Sequence, residues 1–106
     1  VVDQRKNQRF PLHLPLRILR TGTGSVSHSA WTHNISSGGV LFTANAEVPA
    51  GDAIEYVVTL TTVGGVQVDL RCVGKVVRLD KSPEEENSSY LVAATVDRYQ
   101  FVRLEV

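Results

Sequence analysis

Two arginines spaced four apart, Arg5 and Arg9, stand just ahead of the first apolar run of this 106-residue chain. Each guanidinium is a planar fork that can grip a phosphate through two parallel hydrogen bonds. Further on, the stretch from Asn34 to Gly39 reads Asn-Ile-Ser-Ser-Gly-Gly. In an extended strand Asn34 and Ser36 share the face opposite Ile35, so two hydrogen-bonding side chains stand together toward solvent, ready to hold something polar. Gly38-Gly39 then strips the side chains from the backbone and opens it to close approach. If Ile35 and Val40 both point inward, their odd spacing requires one inserted residue and hence a bulge at the glycines. Taken alone, the same segment also makes an ordinary polar turn, with Asn and Ser for local hydrogen bonds and Gly for φ.

The formal net charge is zero, but it is unevenly spread. Residues 1–20 carry Arg5, Lys6, Arg9, Arg17 and Arg20 against Asp3 alone, a formal +4 that the rest of the chain offsets with −4. One basic end suits a compact anion, whereas duplex DNA or an anionic membrane favours a broader basic face. Binding of single-stranded nucleic acid needs aromatics stacked along a basic groove. The seven aromatics here are scattered along the sequence, so neither DNA nor RNA is expected as a partner.

Catalytic and metal signals are thin. His13, His28 and His33 show no ligand spacing, and one cysteine cannot complete a closed zinc site with them. Ser36 and Ser37 lie near His33, but there is no nucleophile elbow. Cys72 falls on an apolar strand face, where a small buried hydrophobe is the expected reading. Glu84, Glu85 and Glu86 are consecutive and cannot converge on an ion; the metal and cofactor expectation is none, and an enzyme is not expected. Asn34-Ile35-Ser36 and Asn87-Ser88-Ser89 match a glycosylation acceptor, but no export signal accompanies them. No apolar run approaches the ~18 residues of a membrane span, so a soluble, cytoplasmic chain is expected, with the single cysteine fitting a reducing compartment. Methionine is absent, so residue 1 is not a translation start, and the chain is a processed protein or a piece of a longer one, with room for a fused domain.

The elements that must position these residues follow a period of two. Leu12, Leu14, Leu16 and Ile18 alternate with His13, Pro15 and Arg17, predicting a half-buried strand that Pro15 assigns to an edge or near-edge position. Thr21 to Ala30 reads as a Gly/Ser loop or wide hairpin connection, and a second strand region runs from Trp31 to Thr43. Pro49 and Gly51 mark a turn before a third strand, in which Ile54, Tyr56, Val58 and Leu60 share a face. Gly64-Gly65 has the composition of a two-residue primed hairpin turn. In the long run that follows, Val66, Val68, Leu70, Cys72 and Val76 share a face, and Gly74 marks a bulge or bend. Another strand starts at Tyr90. Asp97 and Gln100 have the spacing of a variant capping box, with Tyr99, Val102 and Val106 near one helical face, so a short C-terminal helix is also expected. Five or more strands with little helix predict an antiparallel sheet, and at this length a small closed barrel removes its edges.

Arg5-x-x-x-Arg9 followed by Asn34-x-Ser36-x-x-Gly39 resembles the signature of the PilZ domain family. The likeness extends along nearly the whole chain, through "RKNQRFPLHLPLRI", "NISSGGVLF", "VPAGDAIEYVVTL" and "GKVVR". The resemblance implies an all-β fold, a six-stranded antiparallel β-barrel commonly followed by a helix. Here that means an N-terminal arginine-motif arm over residues 1–11 and a barrel over residues 12–106. It also implies a ligand, the bacterial second messenger cyclic di-GMP, with Arg5 and Arg9 on guanine edges and phosphates. Asn34 and Ser36 then hydrogen-bond from the barrel face, and Gly39 lets the ligand sit close. The expected mechanism is a switch: the charged arm is loosely held when empty, orders on the ligand, and passes the signal to a downstream protein or fused domain. Asn34 stands where many relatives have Asp, so it keeps an acceptor and loses a charge. The alternative is a PilZ-like adaptor that works by protein–protein contact without the nucleotide.

Overall fold

A strand buries one face by alternation, and this chain does so seven times among the residues that the computed structural model describes, 10–22, 24–45, 47–81 and 89–103. Arg5, Lys6, Arg9 and the run Glu84 to Glu86 lie outside those residues. The strands are β1 Pro15–Thr21, β2 Gly24–Ile35, β3 Gly39–Ala44, β4 Ala53–Thr61, β5 Gln67–Lys81, β6 Tyr90–Thr95 and β7 Arg98–Arg103. All pairings between them are antiparallel. Hydrogen-bonded neighbours run β1, β2, β3, β6, β5, β4 and back to β1, closing a six-stranded barrel, while β7 adds to β5 outside the ring. Closure pairs every ring strand on both sides except along Val68–Val73 of β5, which β7 covers, and this is how so short an all-β chain protects its backbone polar groups.

The inward side chains form one core, with Leu16, Ile18, Val40, Phe42, Ile54, Tyr56, Val58, Cys72, Val76 and Val92 all but inaccessible. The Phe42 and Tyr56 rings lie 6.0 Å apart and tilted. Thr32 is the buried polar residue of the wall: its hydroxyl donates to the Leu12 carbonyl at 2.5 Å and accepts the Leu14 N–H at 2.8 Å. Residues 12–14 are thereby laced to β2, where the His13 ring also stacks on Trp31 at 4.8 Å.

Several elements differ from the sequence-based expectation. β1 is bonded on both sides, and Pro15 is tolerated because it is the first strand residue, paired with Trp31 of β2 before the β4 ladder begins at Leu16. The expected Gly/Ser loop is mostly strand: Thr21 pairs with Gly24, and Gly22 takes φ 56° at the turn. Residues 31–43 divide into the end of β2 and most of β3. The Gly64-Gly65 hairpin exists, but only Gly65 has positive φ, 82°. The Thr62 carbonyl accepts the Gly65 N–H at 2.9 Å, so the turn is of the three-residue kind ending in a left-handed glycine.

The C-terminal helix is absent over residues 98–103, which form β7. Once β6 leaves β5 at Val76, the Val68–Val73 half of β5 has an unpaired side, and Arg98 to Arg103 fills it in unbroken register. Tyr99 and Phe101, two apart, are strand residues by type and spacing; the helical reading counted Tyr99 and Val102 and missed Phe101. Asp97 caps no helix, and its N–H bonds the Val73 carbonyl at 2.9 Å.

Gly74 sits where β5 changes neighbours from β6 to β7. A Cβ there would lie 1.9 Å from the Thr95 carbonyl oxygen. The register through Ile54 and Gly74 is regular, so the residue marks a close crossing rather than a bulge.

Candidate functional site

The turn between β2 and β3 carries the second motif. Ile35 pairs with Val40, and the Ser36 N–H donates to the Gly39 carbonyl at 2.9 Å. The Ser36 hydroxyl is directed into the turn: it accepts from the N–H groups of Gly38 at 3.3 Å and Gly39 at 3.2 Å, and donates to the Gly39 carbonyl at 3.3 Å. This is the local hydrogen bonding that a serine offers a turn, here with a buried side chain. The Gly38 carbonyl accepts from the Val96 N–H at 3.1 Å, fastening the turn to the start of the β6–β7 link. Gly39 has a packing reason of its own, since a Cβ would come within 2.8 Å of the Ala94 carbonyl oxygen on β6.

The inserted residue is not at the glycines. The register shift falls between Thr32 and Asn34, making His33 the extra residue. Thr32 and Ile35 both face inward three positions apart, and the bulge at His33 reconciles them. It leaves His33 and Asn34 both on the outer side, with His33 Nε2 bonded to the Thr43 hydroxyl. Asn34, half-buried, stands opposite Leu41, Leu41 opposite Ala93, and Ala93 opposite Arg78. One row on the outer wall therefore joins Asn34 to Arg78 across four strands, about 14 Å at ~4.8 Å per strand. Sequence reasoning could not bring Arg78 to this face, because that needs three cross-strand registers. Arg78 is ion-paired with Asp80 at 2.5 Å. Arg98 lies elsewhere, in the row Arg20, Glu55, Val73, Arg98 on the β1–β4–β5 side. There Arg71 holds Glu55 at 2.5 Å.

The link to the first motif is the backbone of Phe10. Its N–H donates to the Ile35 carbonyl at 2.8 Å, and the Ile35 N–H donates back to the Phe10 carbonyl at 2.9 Å. Phe10 directly follows Arg9 in the sequence, and its partner Ile35 lies within the second motif. Arg9 and Arg5 themselves lie outside the described residues.

Two recesses flank the turn and share Ser36 and Val40. An outer one of 160 Å3 is floored by Gly39, Leu41, Ala93 and Thr95, with Val77 at its rim. The other, 290 Å3 at the barrel mouth, is lined by Phe10, Ser36, Ser37, Leu70, Tyr99 and Phe101 among others. Three aromatics scattered in the sequence thus converge here, all roughly half exposed or more.

No cluster of metal-ligating side chains occurs among the described residues. Cys72 is inaccessible, and burial pushes its thiol up to about 11, away from the thiolate a nucleophile needs. Burial likewise raises Tyr56, whose hydroxyl donates to the Thr95 carbonyl at 3.1 Å. Both groups stay protonated in the folded chain after they ionise in the unfolded one. The unfolded state then binds fewer protons, and stability falls with rising pH. For Cys72 the fall begins near 9.0, the ordinary thiol value, and is complete above about 11. Urea unfolding midpoints are expected to drop across that window, and Cys72→Ala to flatten the drop relative to the wild type.

A family model for the PilZ domain matches residues 3–104. No curated protein matches the chain. Among solved structures, the Bacillus subtilis inhibitor of motility, MotI/DgrA, is similar with a TM-score of 0.74 at 14% identity. The match takes in 93% of this chain and 45% of that one, so the chain spans about half the length of that relative. At that identity the likeness speaks for the fold.

Proposed function

The chain belongs to the PilZ domain family, and from that premise we propose that it binds cyclic di-GMP and serves as a ligand-gated effector module of the bacterial cytoplasm, without catalysis of its own. The observation that supports this reading is the reciprocal pairing of Phe10, the residue that follows the Arg5-x-x-x-Arg9 motif in sequence, with Ile35 inside Asn34-x-Ser36-x-x-Gly39. The two motifs are 25 residues apart in sequence, and the Phe10–Ile35 pair joins the residue after the first to a residue within the second.

In the proposed complex Arg5 and Arg9 supply planar forks for the phosphates and the O6/N7 edges of guanine. Asn34 presents its amide from the outer wall. Ser36 and Gly39 form the turn against which the ligand rests, and Ser36 contacts the ligand by exchanging one of its long bonds within the turn. Arg78, in the row of Asn34, reaches the ligand by exchanging its ion pair with Asp80 for a phosphate. Closing the arginine segment onto the ligand alters the surface offered to a downstream protein or fused domain, and differential affinity for the closed form is the signal.

A second reading, an adaptor that needs no nucleotide, draws on the Ser36 hydroxyl being used wholly inside its own turn. Titration calorimetry separates the two. Cyclic di-GMP is expected to release heat with a saturable isotherm, and no heat at high micromolar ligand would leave the adaptor.

A further inference from the structure

Resting on the nucleotide reading, we infer that the mouth recess walled by Tyr99 and Phe101 receives one guanine base, so that β7 is part of the binding site. The outer recess, at 160 Å3, is smaller than the ~300 Å3 at which small-molecule sites begin. A ligand with two bases and two phosphates cannot be accommodated there. The mouth recess adds 290 Å3 on the other side of Ser36. A dinucleotide straddling the turn would lay its backbone over Ser36 and Gly39 and drop a base into the mouth.

The chemistry of that recess suits a base. Tyr99 and Phe101 meet edge to face, with centroids 5.9 Å apart and planes at 79°, which leaves ring surface available to a planar guest. They are 62% and 59% exposed, and Phe10 across the recess is 49% exposed. Tyr99 stands opposite Cys72 and Phe101 opposite Leu70 on β5, and both rings remain exposed. An aromatic wall matches the apolar face of a purine. Base stacking on aromatic side chains is tolerant of base identity, so this contact adds affinity, and selectivity for guanine stays with the arginines.

The test is calorimetry of cyclic di-GMP on wild type, Tyr99→Ala, Phe101→Ala and Phe101→Leu, with urea unfolding to confirm that each variant folds. Phe101→Ala is expected to weaken binding about tenfold or more, on the range of stacking contacts. Phe101→Leu should recover only part, since it restores apolar volume without the ring. In proton NMR of the wild type, the Tyr99 and Phe101 ring signals should shift on titration. Unchanged affinity in folded alanine variants, with ring signals unmoved, would overturn the base recess while leaving nucleotide binding intact. Wild-type protein that releases no heat would overturn both.

Discussion

Replacing Gly74 with alanine is expected to lower the stability of the chain by about 3–5 kcal/mol, a fall in unfolding midpoint of roughly 15 °C or more for a domain of this size. The new methyl would fall 1.9 Å from the Thr95 carbonyl oxygen and 2.6 Å from its carbon, and both are backbone atoms with no rotamer to yield. Relief requires β6 to lift from β5 where it ends, and three bonds hold that end. The Lys75 N–H donates to Thr95 Oγ1 at 2.9 Å, the Tyr56 hydroxyl to the Thr95 carbonyl at 3.1 Å, and the Asp97 N–H to the Val73 carbonyl at 2.9 Å. Each net bond is worth about 0.5–1.5 kcal/mol, and Tyr56 would keep a buried hydroxyl without its acceptor. Gly64→Ala is the control: nothing lies within 4 Å of its Cβ position and its φ is not positive, so a change within ~0.5 kcal/mol is expected. Equal losses at the two positions in urea or thermal unfolding would refute the crossing as the cause.

The second large effect concerns binding. Arg5→Ala and Arg9→Ala together should weaken cyclic di-GMP binding by about a hundredfold or more. Each bidentate contact to guanine or phosphate is worth ~1–3 kcal/mol, and the two sites share one ligand, so their losses need not add. Arg9→Lys is the informative single change, because lysine keeps the charge but cannot form the fork. It should restore little of the affinity while restoring the salt dependence. If Arg9→Lys binds like the wild type, simple charge attraction is the mechanism and the bidentate assignment fails.

Alternation made much of the barrel legible. Leu16 and Ile18, Ile54 to Val58, and Cys72 and Val76 are core residues in the structure as the period of two requires. What escaped sequence reasoning were places where one element answers to another. Thr32 is polar yet buried, because the Leu12 carbonyl and the Leu14 N–H, both before β1, complete its hydroxyl. The bulge at His33 lies between two inward residues of which one is a threonine, so an apolar pattern could not locate it. β7 exists because β5 outruns β6, a fact of tertiary pairing. Of the candidate site, Asn34, Ser36 and Gly39 were legible as a motif. The hydroxyl of Ser36 and the missing side chain of Gly39 turn out to shape the turn and its contact with β6. Arg5 and Arg9 lie outside the described residues, and the described residue next to Arg9 in sequence is Phe10.

β7 is the one described strand with a single hydrogen-bonded neighbour. Its six residues can come away from β5 without breaking any ladder of the closed ring, in a local opening that costs less than global unfolding. The molecule therefore has two levels of cooperativity, a barrel that opens as a whole and a strand that can open alone. A guest lodged against Tyr99 and Phe101 would raise the cost of that smaller opening and leave the larger one nearly unchanged. Occupancy would then be written as amide-exchange protection along one edge of the sheet, a message any partner able to pair with a loosened strand can read.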